Sequence, residues 1–326
     1  MTETKTKKNR KIFGMSQDVF MKKYGIAIIL LAMIVFMCIA SPTFRTSGNV
    51  ISILQQISVN GVLALGMVFV ITAGGIDLSI GSMLALTSVV IGVVFEYTSS
   101  IFVAAAVSVL MCGLFGLLNG VLIAKFNMFP FVVTLATQLV IRGTGYIISD
   151  GATKTLTNKN FRQIGLGKLF GVVPYSILIF LVMAVIAFVL LHMTKFGRHI
   201  YAVGGNINAA RASGVKVFRT RVLSFVWMGV CAAVAGVILT SRINAAQPNI
   251  GEGYETDAIA ACVIGGTSFA GGVSTIPGTM IGIVIIGVIY NGMNLLRVSS
   301  YWQTITKGVL IIGAVMLDMF LNKKKN

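Results

Sequence analysis

Runs of mostly apolar residues, separated by short polar or glycine-rich breaks, dominate the chain from residue 24 onward. They fall at 24–40, 51–73, 78–95, 101–124, 130–148, 175–193, 222–240, 276–296 and 302–321. About 20 residues of helix cross a hydrocarbon core, so each of these nine runs predicts a transmembrane helix. A tenth apolar piece, 257–264, is shorter and lies between Asp257 and the glycine-rich stretch 265–272. A broken helix or re-entrant segment is expected there, since irregular backbone is tolerated where protein or a cavity surrounds it. The pattern predicts an all-α polytopic membrane protein of about ten transmembrane segments. Its parts are a basic N-terminal extension at 1–23, a transmembrane domain at 24–321 with a long polar loop at 194–221, and a tail at 322–326.

Composition agrees and narrows the class. Of 326 residues, 56% are hydrophobic and 11% charged, against roughly a quarter charged in a soluble domain. A soluble enzyme and a disordered chain are both excluded. The net charge of +17 then concerns sidedness. With ten segments and a cytoplasmic N-terminus, 17 of the 26 Lys and Arg residues fall inside and seven outside, with Arg142 and Lys307 within spans. This is the positive-inside arrangement, with both termini cytoplasmic. Nine spans would put the basic tail outside. On this count Glu252, Glu255 and Asp257 belong to outer loops, leaving Asp77 as the one acidic residue near the membrane interior. The excess charge reads as topology and headgroup attraction, not nucleic-acid binding.

Four constellations carry chemistry. Gly74, Gly75, Asp77 and Ser79 lie in ITAGGIDLSIG (71–81), where glycines free the backbone and Asp77 can cap the next helix. The plain reading is a tight capping turn; the functional one is a gating signature around an ionisable group. In the loop, Asn206 is a good N-cap and Gly214 a good stop, so a short helix is expected between them. It either rests on headgroups or docks a cytoplasmic partner, and its weak apolar stripe favours docking. Gly116 with Gly120, and Gly278 with Gly282, permit close helix packing. Asn60, Asn119, Gln138, Asn291 and Asn294 are polar positions inside spans. They suit either a path for a neutral polyhydroxylated solute or hydrogen bonds between helices. No dense polar cluster is expected.

No phosphate-binding GxxxxGK[ST] loop occurs, so ATP hydrolysis by that route is not expected. His192 and His199 have no acidic residue at ligand spacing, and neither a metal nor a cofactor is expected. The four cysteines lie in or beside apolar runs and read as small hydrophobes. Asn119-Gly120, Lys125, Phe129 and Thr134 recur 172 residues later as Asn291-Gly292, Arg297, Tyr301 and Thr306. An inverted repeat is one reading of this echo and chance similarity of apolar stretches is the other.

ITAGGIDLSIGS (71–82), FPFVVTLAT (129–137), TKFGRHIYAVGGNINAARASGV (194–215), YETDAIAACVIGGTSFAGG (254–272) and SSYWQTITKGVLI (299–311) occur in the order of a known family. From about residue 20 to its end the chain resembles the permease subunits of bacterial ABC importers for ribose, galactose and related sugars. Branched-chain amino acid permeases are similar more distantly. The resemblance implies a type II importer fold and a non-catalytic subunit in the bacterial inner membrane. It also implies a second copy of the chain, a cytoplasmic ABC ATPase and an extracytoplasmic sugar-binding protein as partners. Gly205, Asn206, Ala209, Ala210, Ser213 and Gly214 match the family's ATPase-docking loop, and Gly74, Gly75, Asp77 and Ser79 its GGIDLS signature. A monosaccharide such as a ribose-like pentose is the implied solute. Another solute class (branched-chain amino acids or nucleosides) is the alternative, and an ion-coupled secondary transporter a weaker one.

Overall fold

The computed structural model describes the backbone of residues 11–12, 15–156 and 158–323, and side chains within 25–156, 158–313 and 315–316. The basic extension expected over 1–23 and the tail over 322–326 lie largely outside the described residues. Among those described, seven helices are long and apolar enough to cross a membrane. In chain order the helices are α1 (Gln17–Ala40), α2 (Ser47–Thr72), α3 (Ile80–Thr98), α4 (Ile101–Phe126) and α5 (Pro130–Ser149). A short α6 (Lys159–Leu166) precedes α7 (Tyr175–Phe188), which continues as a π turn over Val189–Met193. Then come α8 (Lys195–Gly205), α9 (Ile207–Ala212), α10 (Val217–Ile243), α11 (Tyr254–Ile264), α12 (Ile276–Leu295) and α13 (Ser300–Lys323). The seven are α2, α3, α4, α5, α7 with its π turn, α10 and α12, while Gly25–Ala40 of α1 is a shorter apolar helix. With α11 and α13 they account for the ten apolar segments of the sequence.

Burial sorts these helices into a core and a shell. Every residue of α2 from Gly61 to Thr72 is buried, which fits its being apolar on all sides. Most of α3 and α10 are buried with it. On α4 the buried positions are Ala104, Ser108, Cys112, Gly116, Asn119, Gly120 and Ile123, one narrow stripe of mainly small residues. That stripe meets α10 at backbone distance: a Cβ on Gly116 would stand 2.3 Å from the Phe225 carbonyl oxygen. The glycine pair 116/120 therefore packs α4 on α10 within one chain. The pair 278/282 does the same for α12 on α11, where a Cβ on Gly282 would stand 2.0 Å from the Ala261 carbonyl oxygen. Outward-facing α4 and α5 carry exposed Leu110, Leu114, Leu139 and Val140. Such faces need lipid or another apolar surface.

The tenth segment is a broken span. From Asn244 to Gly253 the chain is mostly irregular and runs down the side of α3. Ala246 meets Gly92, the Gln247 N–H donates to Ser88 Oγ at 3.1 Å, and Gly251 meets Gly81 near the start of α3. Helix α11 then completes the crossing. This corrects the placement of Glu255 and Asp257 in outer loops: both lie in the first turn of α11, inside the bundle, and Asp257 is buried. Counting charges into loops failed here because a non-helical segment can enter a bundle if side chains satisfy its backbone.

Two hairpin turns echo each other. The α4–α5 turn has Asn127 at φ 52° and the α12–α13 turn Arg297 at φ 56°. The first lies beside α9, with Asn127 and Ile207 lining one cavity. The second lies at the far end of α12, whose start is near α7, where the Ile276 N–H donates to His192 Nε2. The two turns thus lie toward opposite ends of the bundle.

Candidate functional site

Helix α9 is written by its caps. Asn206 Oδ1 accepts from the N–H groups of Asn208 and Ala209, both at 3.0 Å. At its far end Gly214 takes φ +79°, with Gly214 N–H donating to Arg211 and Val215 N–H to Ala210. This is a Schellman stop, which only a residue tolerant of positive φ completes cheaply. Gly205, Asn206, Ala209, Ser213 and Gly214 are exposed. Ala210 is not: it is 4% exposed and faces inward. The six candidate docking residues thus form five outward positions and one anchor.

Helix α8, which the sequence did not reveal, ties α9 to the bundle. Ile200 and Val203 are buried, and Phe196 stacks on Phe69 of α2. Gly204 sits so close to the end of α2 that a Cβ would stand 1.7 Å from the Thr72 carbonyl oxygen and 2.6 Å from Gly272 N. The same Thr72 carbonyl accepts from Gly272 N–H at 2.9 Å, and Thr72 Oγ1 bonds Ser274 Oγ at 2.7 Å. Tyr201 Oη donates to the Ser274 carbonyl at 3.0 Å. Three elements therefore meet at one point: α8, the end of α2, and the loop joining α11 to α12.

The 74–79 turn begins at that point. Helix α2 ends in a second Schellman stop, with Gly74 at φ +77° and the Gly75 N–H donating to Val70. Asp77 is fully buried, and its Oδ1 accepts from both the backbone N–H and the hydroxyl of Ser79. Asn119 Nδ2 donates in turn to Ser79 Oγ at 3.0 Å. The capping role expected of Asp77 is thus exercised on Ser79, the residue that immediately precedes α3. Burial pushes its carboxyl up to about 6, against the opposing pull of the Ser79 and Asn119 hydrogen bonds. Thr134 Oγ1 of α5 lies 3.4 Å from the Ile76 carbonyl oxygen on the other side of the turn, while its hydroxyl has a shorter acceptor in the Pro130 carbonyl at 2.9 Å.

The five candidate path residues do not converge. Asn119 belongs to the Asp77–Ser79 network. Asn291 pairs with Asn49 in both directions, at 3.0 and 2.7 Å, joining α12 to α2. Asn294 is exposed and accepts from Gln303. Asn60 Oδ1 is buried in α2 without a partner among the described residues. Gln138 stands on α5 between Thr134 and Arg142, one turn from each, and makes the middle of a polar stripe.

A dense polar cluster does exist, against expectation. Lys307 Nζ of α13 lies 2.8 Å from Asp257 Oδ1, and Tyr290 Oη of α12 donates to the same oxygen at 2.8 Å. Glu255 Oε1 accepts from Gly253 N–H at 3.1 Å. Arg142 Nη1 donates to the carbonyls of Pro248 and Ile250 at 2.8 and 2.7 Å. Asp77 is therefore not the one acidic residue of the interior. Two cations inside spans were the available signal, because buried charges are kept only when paired.

Comparison with known proteins gives a consistent result. The model of a family described as the branched-chain amino acid transport system / permease component matches residues 49–315. The ribose import permease protein of Bacillus subtilis (strain 168) is 44% identical over 92% of this chain and 94% of its own. That of Escherichia coli (strain K12) is 42% identical over 91% and 93%. The L-arabinose transport system permease protein of Escherichia coli (strain K12) is 38% identical over 93% and 92%. No solved structure matches the chain. The long capped helices, the broken span and a match over most of the chain agree: this multi-pass membrane protein belongs to the branched-chain amino acid transport system / permease component family.

Proposed function

We propose that the chain is the membrane-spanning subunit of a bacterial ABC importer. It passes a monosaccharide, received from an extracytoplasmic binding protein, to the cytoplasm by alternating access, and ATP is hydrolysed by a separate subunit. The relatives named for ribose and arabinose support the substrate class. The mechanical reading is carried by one observation, the junction of α8, Thr72 and Gly272. A push on exposed α9 reaches α2, the 74–79 turn and the broken span without an intervening flexible linker.

The α9 side is the cytoplasmic one in this reading, with both termini on it. Residues 194–221 hold six Lys and Arg and no Asp or Glu, so an ATPase surface facing them is acidic where it docks. The exposed apolar faces of α4 and α5 meet lipid and a second copy of the chain. Replacing exposed Ala209 by Glu removes ATPase association and uptake, while the melting temperature in detergent stays at the wild-type value. Normal ATPase association in A209E would remove the docking role from α9.

A further inference from the structure

Extended backbone inside a bundle must find partners for its carbonyls. Along 244–253 some carbonyls pair with backbone, as Asn244 does with Leu156, and others with side chains of other helices, as Gly253 does with Lys307. Pro248 and Ile250 offer carbonyls that no backbone N–H of the described residues takes, and Arg142 of α5 holds both. Nearby, Glu255 Oε2 is buried with no partner among the described residues. It lies against Gly81, where a Cβ would stand 2.6 Å from it. Three acceptors thus cluster on the broken span: the Arg142 guanidinium supplies donors to the two carbonyls, and Glu255 Oε2 has none among the described residues.

A hydrogen bond made to a side chain can be exchanged for one made to a solute, whereas a helix cannot give up its own ladder without unwinding. Neighbouring hydroxyl groups on a neutral ring can donate to the same carbonyl and carboxylate acceptors as a guanidinium N–H group. We infer that the carbonyls of Pro248 and Ile250, together with Glu255 Oε2, form a hydroxyl-binding subsite for a neutral polyhydroxylated solute. Arg142 is its positioning residue and occupies the two carbonyls while the path is empty. This rests on the sugar-import reading above and names where within the bundle the solute is met. The polar stripe Thr134–Gln138–Arg142 gives that subsite a mechanical link to the 74–79 turn. A shift of α5 that moves Thr134 away from the Ile76 carbonyl at one end withdraws Arg142 at the other.

The test uses the full chain assembled with its ATPase subunit. With the four native cysteines replaced by alanine, a single cysteine at Ile250 is labelled by a membrane-impermeant maleimide. R142Q is expected to raise the labelling rate about tenfold, because it removes charge-assisted bonds on which the segment depends. R142K, which keeps the charge without the planar guanidinium, is expected to fall between R142Q and the parent. In proteoliposomes with the binding protein, E255Q is expected to lower maximal D-ribose uptake about tenfold. The half-saturating concentration of sugar-loaded binding protein and the melting temperature stay unchanged, which a merely structural role for Glu255 would not give. Equal labelling of R142Q and the parent overturns the inference, whether or not E255Q folds. Undiminished uptake by E255Q overturns the subsite. A wild-type chain that moves no D-ribose overturns the substrate reading and this subsite with it, while an active wild type with either negative result overturns the subsite alone.

Discussion

Replacing Gly204 by alanine is expected to abolish coupled uptake, while the neighbouring Gly205→Ala leaves the fold intact. The two glycines are adjacent in sequence and opposite in surroundings. A methyl group on Gly204 would stand 1.7 Å from the Thr72 carbonyl oxygen, and both of its nearest obstacles are backbone. Backbone cannot rotate aside as a side chain can, so α8 has to lift away from α2 and the loop at Gly272. Overpacking of this kind costs about 1–3 kcal/mol. The displaced contact is also the one through which α9 would drive the bundle, and couplings between sites are themselves only on the order of 1–3 kcal/mol. Nothing lies within 4 Å of the position a Gly205 methyl would occupy, and alanine there gains helix propensity of about 1 kcal/mol. Uptake in proteoliposomes and melting in detergent check both halves. Equal melting temperatures for the two variants would sink the close contact.

Replacing Lys307 by methionine is expected to destabilise the chain by about 3–5 kcal/mol, the range for removing one partner of a buried pair. Lys307 faces Asp257, whose side chain is 7% exposed, and among the described residues it is the one cation paired with that carboxylate. Without it Asp257 keeps Tyr290 as a donor but has no compensating charge. The double variant K307M/D257N is expected to recover most of the loss, because an amide carries no charge to strand. Tyr290→Phe removes a neutral donor and costs less, about 1 kcal/mol. Thermal unfolding of the parent, K307M, D257N and K307M/D257N in one detergent gives the cycle. Strictly additive losses would mean that the pair is not coupled.

The long apolar helices were legible because twenty lipid-compatible residues admit few other folds. Helix α9 was legible because Asn206 and Gly214 mark its ends chemically. The broken span was legible only in part. The run 257–264 and its glycines pointed to an interrupted helix, but nothing in 244–253 has an apolar period that would place it inside. Its position depends on Ser88, Arg142 and Lys307, which are distant in sequence, and local pattern does not carry such contacts. Helix α8 was missed for a related reason: Gly204 serves close approach to Thr72 and Gly272, and glycine reads locally as a break. The polar span residues suit either a path or hydrogen bonds between helices, and Asn119, Asn291 and Asn294 each hydrogen-bond a neighbouring helix or turn. The sequence shows amide chemistry at those positions without showing which partner takes it.

The broken span also constrains how the protein is made. An isolated piece of 11 helical residues carrying Glu255 and Asp257 is too short and too acidic to partition into lipid as it emerges. Its neutralising lysine is translated about 50 residues later, at position 307. Residues 244–264 must therefore wait outside the hydrocarbon until α13 arrives, so a helix synthesised later installs a central one. A chain stopped after α12 should leave a cysteine at Ile259 open to water-soluble maleimide, and the full chain should close it. Protection already complete in the shortened chain would show that the segment enters unaided.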